Sequence, residues 1–115
     1  SPAKDADNLF YMVSYCDYPE GTFPADSTTL LEEFFATTIE AAATAVDGKM
    51  IYTTDIQLKD HPGKFWRINY LDDKAVIKTK AYIVGDRYYA VQVISYREGN
   101  INEAANRFFD SFHLL

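Results

Sequence analysis

Two hydrophobic periods organise this chain. A period near 3.6 runs through Leu31, Phe34, Phe35, Thr38, Ile39, Ala42 and Val46 and predicts a helix over 28–46. Thr29-Leu30-Leu31-Glu32 has the form of a capping box, with Asp26 and Ser27 as alternative caps. Gly48 is placed to end the helix in a left-handed conformation. A second stripe, Ile101, Ala105, Phe108 and Phe112, follows Asn100-Ile101-Asn102-Glu103 and predicts a second helix capped by Asn100. The apolar end Phe112-His113-Leu114-Leu115 is expected to dock on the domain.

Strand patterns fill the rest. Leu9 to Cys16 is rich in aromatic and β-branched residues. Met50 to Leu58 alternates, with Met50, Tyr52, Thr54, Ile56 and Leu58 predicted on one side and Thr53, Asp55 and Gln57 on the other. Lys64 to Tyr70 alternates again, and the tight connection Leu71–Lys74 pairs it with Ala75 to Val84. That register sets Tyr70 opposite Ala75, Ile68 opposite Ile77, Trp66 opposite Thr79 and Arg67 opposite Lys78. Gly85-Asp86 then turns the chain into Arg87 to Ser95. A two-residue turn there would set Lys78 and Lys80 beside Val93 and Val91, so a longer loop with a bulge near Gly85 is expected. The alternative is a sheet covered on both faces, where alternation is a poor guide. Strands joined by short hairpins are antiparallel neighbours. The fold class is therefore α+β: about five strands, mainly antiparallel, packed with two helices. Residues 1–8 read as a loose, disordered terminus or an expression remnant, and 9–115 as a single domain.

Composition narrows the function classes. The chain has 115 residues, 48% apolar and 24% charged, values of a soluble globular domain. A net charge of -6 disfavours nucleic acid and anionic membrane surfaces as partners. No apolar run approaches the ~20 residues of a membrane span. The single cysteine, Cys16, allows no internal disulfide and reads as a small buried hydrophobe. Nine Tyr, eight Phe and one Trp exceed the needs of a small core and hint at a binding surface.

Three places could carry chemistry. The turn Asp60-His61-Pro62-Gly63-Lys64, near Asp55 and Trp66, offers Asp60, His61 and Lys64 as a polar site; the alternative is a surface turn shaped by Pro62 and Gly63. Two His and one Cys are too few for an ordinary zinc site, so no metal and no cofactor are expected. A polar sheet face of Asp55, Arg67, Asn69, Lys78, Lys80 and Gln92, with Tyr82 and Tyr88 beside it, could take an anionic group or a protein. It could equally be a solvated face with cross-strand charge pairs. The loop after the first strand presents Tyr15, Tyr18 and Phe23, either as a partner-binding loop or as pins holding the loop to the core. No Gly-x-Ser-x-Gly, phosphate-loop, His-Glu-x-x-His or Cys-x-x-Cys pattern occurs, and Ser111 and His113 sit too close along the chain to form a triad. No enzyme activity is expected.

His61-Pro62-Gly63-Lys64, Tyr82-Ile83-Val84-Gly85-Asp86-Arg87-Tyr88-Tyr89 and Arg107-Phe108-Phe109-Asp110-Ser111-Phe112 occur in that order. Together they resemble small bacterial domains of the PsbP-like superfamily, which includes the PsbP subunit of photosystem II and the Mog-type Ran-binding proteins. The resemblance covers residues 9–115 and implies an antiparallel sheet between helices. It also implies an exported or lipid-anchored location, since the bacterial domains of this kind are such proteins, without assigned activity. Those domains have an extra strand or hairpin before the segment matching Leu9 to Cys16. Its loss by trimming would leave a sheet edge open. The leading expectation is a non-enzymatic extracytoplasmic domain that binds a protein or assembles with itself. The alternative is a small-ligand carrier with a pocket between helix 28–46 and the sheet, lined by Phe34, Tyr52 and Trp66.

Overall fold

The computed structural model describes residues 9–96. Within them the chain runs β1 (Leu9–Asp17), α1 (Thr28–Ala45), β2 (Lys49–Leu58), β3 (His61–Tyr70), β4 (Ala75–Val84) and β5 (Arg87–Tyr96). The five strands form one antiparallel sheet in the order β1-β5-β4-β3-β2. The first strand thus crosses over and adds beside the last. This is a mixed α+β fold with a five-stranded sheet and one helix among the described residues. The expected second helix and docked tail lie outside those residues. No helix among the described residues is long and apolar enough to cross a membrane.

α1 forms where the 3.6 period predicts it. Ser27 is the cap: its Oγ accepts from the Leu30 amide at 3.3 Å. Thr29, the first position of the capping-box pattern, lies inside the helix. At the other end the left-handed residue is Asp47 (φ 52°), one position before the expected glycine. Gly48 serves a different need. A Cβ there would lie 2.7 Å from the Asn69 carbonyl oxygen and 2.9 Å from Ile68 Cγ2, so the helix exit can touch β3 only without a side chain.

The apolar stripe of α1 buries Phe35 and Ile39 against one sheet face. Trp66 and Ile68 of β3, Ala81 and Ile83 of β4 and Ala90 of β5 form the floor, and Phe23 closes one end. Each such large side chain taken from water stabilises by about 1.5–3 kcal/mol.

The β3–β4 register matches the expectation at each stated pair. The β4–β5 register does not. Gly85-Asp86 is a simple two-residue turn with Val84 opposite Arg87, and Lys78 and Lys80 do lie opposite Val93 and Val91. The expected bulge near Gly85 is absent. Gly85 supplies the left-handed φ of 63° that such a turn needs. The polarity conflict disappears because the sheet is buried on both faces at its centre. Val76, Tyr82, Val91, Val93 and Ser95 face away from α1 and are nonetheless buried. The bulge falls in β2 instead, between Met50 and Tyr52. It returns Met50 to the α1 side with Thr53 and Asp55, and turns Tyr52 to the opposite face.

Candidate functional site

β1 is the most exposed element of apolar character. It pairs with β5 from Leu9↔Ser95 to Asp17↔Arg87 without a register shift. As the terminal strand of the sheet it has no neighbour on its other side among the described residues. Tyr18 continues the register, its amide donating to the Asp86 carbonyl at 2.9 Å. Hydrogen-bonded pairs alternate along an antiparallel ladder. Cys16, Ser14, Met12 and Phe10 therefore turn their amides and carbonyls to β5. Those of Asp17, Tyr15, Val13, Tyr11 and Leu9 turn outward. Side chains alternate too. Phe10, Met12, Ser14 and Cys16 lie on the α1 side of the sheet, but α1 sits over the other strands and leaves them uncovered. Phe10, Tyr11, Met12, Val13 and Tyr15 are 42–63% exposed. Cys16, expected to be buried, is exposed for the same reason.

The aromatic loop candidates separate into two groups. Tyr18 and Phe23 are pins. Their rings meet each other at 5.4 Å and meet Phe34 at 5.5 and 4.9 Å, all edge-on, and Tyr88 adds a fourth ring to the cluster, 5.4 Å from Phe34. Burial pushes the Tyr88 phenol up to about 12. Asp86 holds the same loop from the β4–β5 turn. Its carboxylate accepts from the Gly21 and Phe23 amides, both at 3.0 Å, and those bonds hold its pKa below the usual carboxylate value. Tyr15 lies elsewhere, on the far face. Its ring stacks under the Arg87 guanidinium at 4.7 Å, and Arg87 in turn grips Asp17 with two hydrogen bonds of 2.5 and 3.0 Å. The Arg87 bond lowers the Asp17 pKa.

The polar turn candidates are not brought together. His61 opens β3 opposite Leu58, whereas Lys64 points to the α1 side. Its Nζ lies 2.9 Å from Glu32 and 2.5 Å from Asp55, tying α1 to β2. The bond to Asp55 raises the Lys64 pKa against the opposing effect of burial, and Glu32 adds to the rise. Asp60 sits in the β2–β3 turn, exposed. The polar sheet face divides as well: Arg67, Asn69, Lys78, Lys80 and Tyr82 face away from α1, while Asp55, Tyr88 and Gln92 face toward it. Arg67 Nε donates to Asn69 Oδ1 at 2.9 Å. Burial, with Arg67 alongside, lowers the Lys78 pKa. No group of three His, Cys, Asp or Glu side chains among the described residues could hold a metal ion.

The expected pocket residues also part company. Trp66 is buried beneath α1, Phe34 belongs to the aromatic cluster, and Tyr52 lies across the sheet against Phe65. A groove does run between α1 and the β2 side. It holds about 570 Å³ and is walled by Ala36, Ile39, Ala43, Met50 and Thr53, with Glu32, Glu40 and Lys64 at its rim. Met50 belongs to this wall because the bulge in β2 turns it to the α1 side. From sequence, a pocket between helix 28–46 and the sheet is expected but with another lining, and an open edge only as a consequence of trimming before Leu9; the charge-free run Leu9–Cys16 is the more direct signal for the edge. Comparison with protein-family models, with curated proteins and with solved structures finds no match for this chain.

Proposed function

We propose that this is a non-enzymatic protein-binding domain whose binding element is the outer edge of β1. One observation carries the reading. A nine-residue strand with no charge before Asp17 has a strand neighbour on one side only among the described residues and displays apolar side chains on both faces. Main-chain hydrogen bonding gives an added strand its affinity, and the flanking side chains give it selectivity. The opposite edge is guarded. β2 carries Lys49, Asp55 and a bulge, devices that discourage pairing, and β1 has none of them. Selection of nine-residue peptides from a displayed library tests the idea. Binders that shift the amide resonances of Tyr11, Val13 and Tyr15 are expected. Binders mapping only to other surfaces, or none, would refute it.

The extracytoplasmic setting and the PsbP-like sandwich belong to the same proposal and rest on the resemblance. Burial of Val76, Tyr82, Val91 and Val93 away from α1 is what a second layer on that face would produce. A chain ending at Tyr96 would then bind a hydrophobic dye that the full chain excludes; equal dye binding by both would count against the second layer. A second reading, a carrier of a small apolar molecule, is favoured by the α1–β2 groove, whose volume lies in the range of ligand sites. Its test is a melting-temperature screen against fatty acids and alkylamines, repeated on Ala43→Trp, which fills the groove. A shift that Ala43→Trp leaves unchanged would rule the groove out.

A further inference from the structure

We infer that the groove between α1 and β2 takes a free single-chain amine, its alkyl tail on the apolar wall and its ammonium group at Glu40. The inference rests on the reading of that groove as a ligand site. Three observations select the class of ligand.

The first is the wall. Ala36, Ile39 and Ala43 follow one another along one stripe of α1, and Met50 and Thr53 face them from β2. Two of the three helix positions are alanines, too short to reach across to the strand. The space between them therefore stays open among the described residues, with Met50 43% exposed beside it. A single alkyl chain laid there takes apolar surface of both elements out of water.

The second is the state of the charges. Lys64 is the one basic residue on the wall among the described residues, and it is already taken: Glu32 and Asp55 both hold its Nζ. A carboxylate or phosphate head would have to displace one of them. Glu40 differs. It lies about two turns beyond Glu32 on the same helix face. It is exposed and forms no ion pair among the described residues. Three carboxylates against one ammonium leave this rim negative, with Glu40 as the free partner for a cation.

The third is the helix itself. α1 has no lysine or arginine and no basic side chain in its last turn. The groove reaches Ala43, in that turn, where the helix dipole adds a smaller bias of the same sign. An ammonium group meets both fields favourably, and a fatty-acid anion meets both unfavourably. A phospholipid headgroup would bring its phosphate beside Glu40, so the charges favour a free amine as the source.

The test titrates the full chain with probes that share a decyl tail: decylamine, decanoate, decanol and decylphosphocholine. Calorimetry reads affinity, and the methyl resonances of Ala36, Ala43 and Met50 locate the site. Decylamine is expected to bind about tenfold more tightly than decanoate at low salt, an advantage that added salt erodes. Glu40→Gln should weaken decylamine by about two- to fivefold and leave decanol unchanged. Glu40→Lys should bring decanoate level with decylamine or ahead of it. Decanoate binding as tightly as decylamine to the natural chain would overturn the inference, as would a preference that Glu40→Lys leaves unchanged. Decylphosphocholine matching decylamine would overturn the free amine. In those cases the groove survives as a ligand site if the three methyl resonances still shift and if Ala43→Trp, or Ala36→Phe at a more exposed position, abolishes binding. Failure of the groove reading looks different. No binding by any probe overturns both, as does binding that moves none of the three methyls. Contacts from residues after Tyr96 to the Ala36 and Ala43 methyls also overturn both, because the groove is then filled by the chain itself.

Discussion

Gly63 offers a test of the sheet geometry that holds Lys64 beneath α1 and β1 at the opposite end of the sheet. It lies in β3 opposite Tyr82 of β4 and Ile56 of β2. A Cβ at this position would meet the Ala81 carbonyl oxygen well inside contact distance and would lie 2.6 Å from Tyr82 Cδ1. The tyrosine ring can swing away. The carbonyl cannot, because it belongs to the β4 backbone. Restoring ordinary contact requires the two strands to part by about an ångström, which breaks one or two ladder hydrogen bonds. Overpacking of this kind costs about 1–3 kcal/mol, and each buried backbone group left unpaired costs about as much again. Against this, replacing glycine in a strand interior returns about 0.5–1 kcal/mol of chain entropy. The net expectation for Gly63→Ala is a loss of about 2–4 kcal/mol, set by those opposing effects. For a domain of this size that is about 8–25 °C in melting temperature. Thermal unfolding followed by circular dichroism reads it. Gly85→Asn supplies the contrast. Gly85 has a φ of 63° and open space around it, so a residue that tolerates the left-handed region should fit with little cost. A Gly63→Ala melting point within about 2 °C of the natural protein would refute the claim that β3 and β4 touch here through a missing side chain.

Three further outcomes are expected. Phe35→Ala, at a position 2% exposed in the centre of the core, should cost about 3–5 kcal/mol in urea unfolding; a loss below about 1 kcal/mol would mean that α1 is not clamped through this ring. Asp86 has a folded pKa below 3.8, so its contribution to stability is complete above that value and fades as pH falls through the lowered one. Asp17 follows the same course through Arg87. Asp86→Asn should therefore flatten, without abolishing, the loss of stability below about pH 4, and an unchanged acid profile would contradict the loop-clamping role. Tyr88, raised to about 12, keeps its proton after the unfolded chain has lost it. Its contribution is complete below pH 10 and disappears as pH rises toward 12, so Tyr88→Phe should lessen the alkaline loss of stability. An alkaline profile identical in Tyr88→Phe would show that burial does not hold the proton on this phenol.

Much of the fold was legible because its determinants are local. The helix period from Leu31 to Val46 needs only a face to bury, and the β3–β4 register follows from a short turn between matched apolar sides. The site was harder to read because its determinants are not local. Whether Lys78 and Lys80 can lie opposite valines depends on what covers both sheet faces, which alternation along one strand does not report. Tyr52 appeared to share a face with Met50, but a bulge between them separates the two, and with that the expected pocket of Phe34, Tyr52 and Trp66 dissolved. Asp86, the clamp of the 18–23 loop, was visible only as half of a turn, since its partners Gly21 and Phe23 lie more than sixty residues away in sequence.

By itself the sequence determined that β1 would be a strand, apolar and free of charge from Leu9 to Cys16. Where that strand would lie was decided by the tertiary structure, which set it beside β5 at the end of the sheet formed by the described residues. The physical reason is that local composition specifies how a segment bends and what it buries. An edge is a property of order within the sheet, and order is settled by which long-range pairings close together around one core.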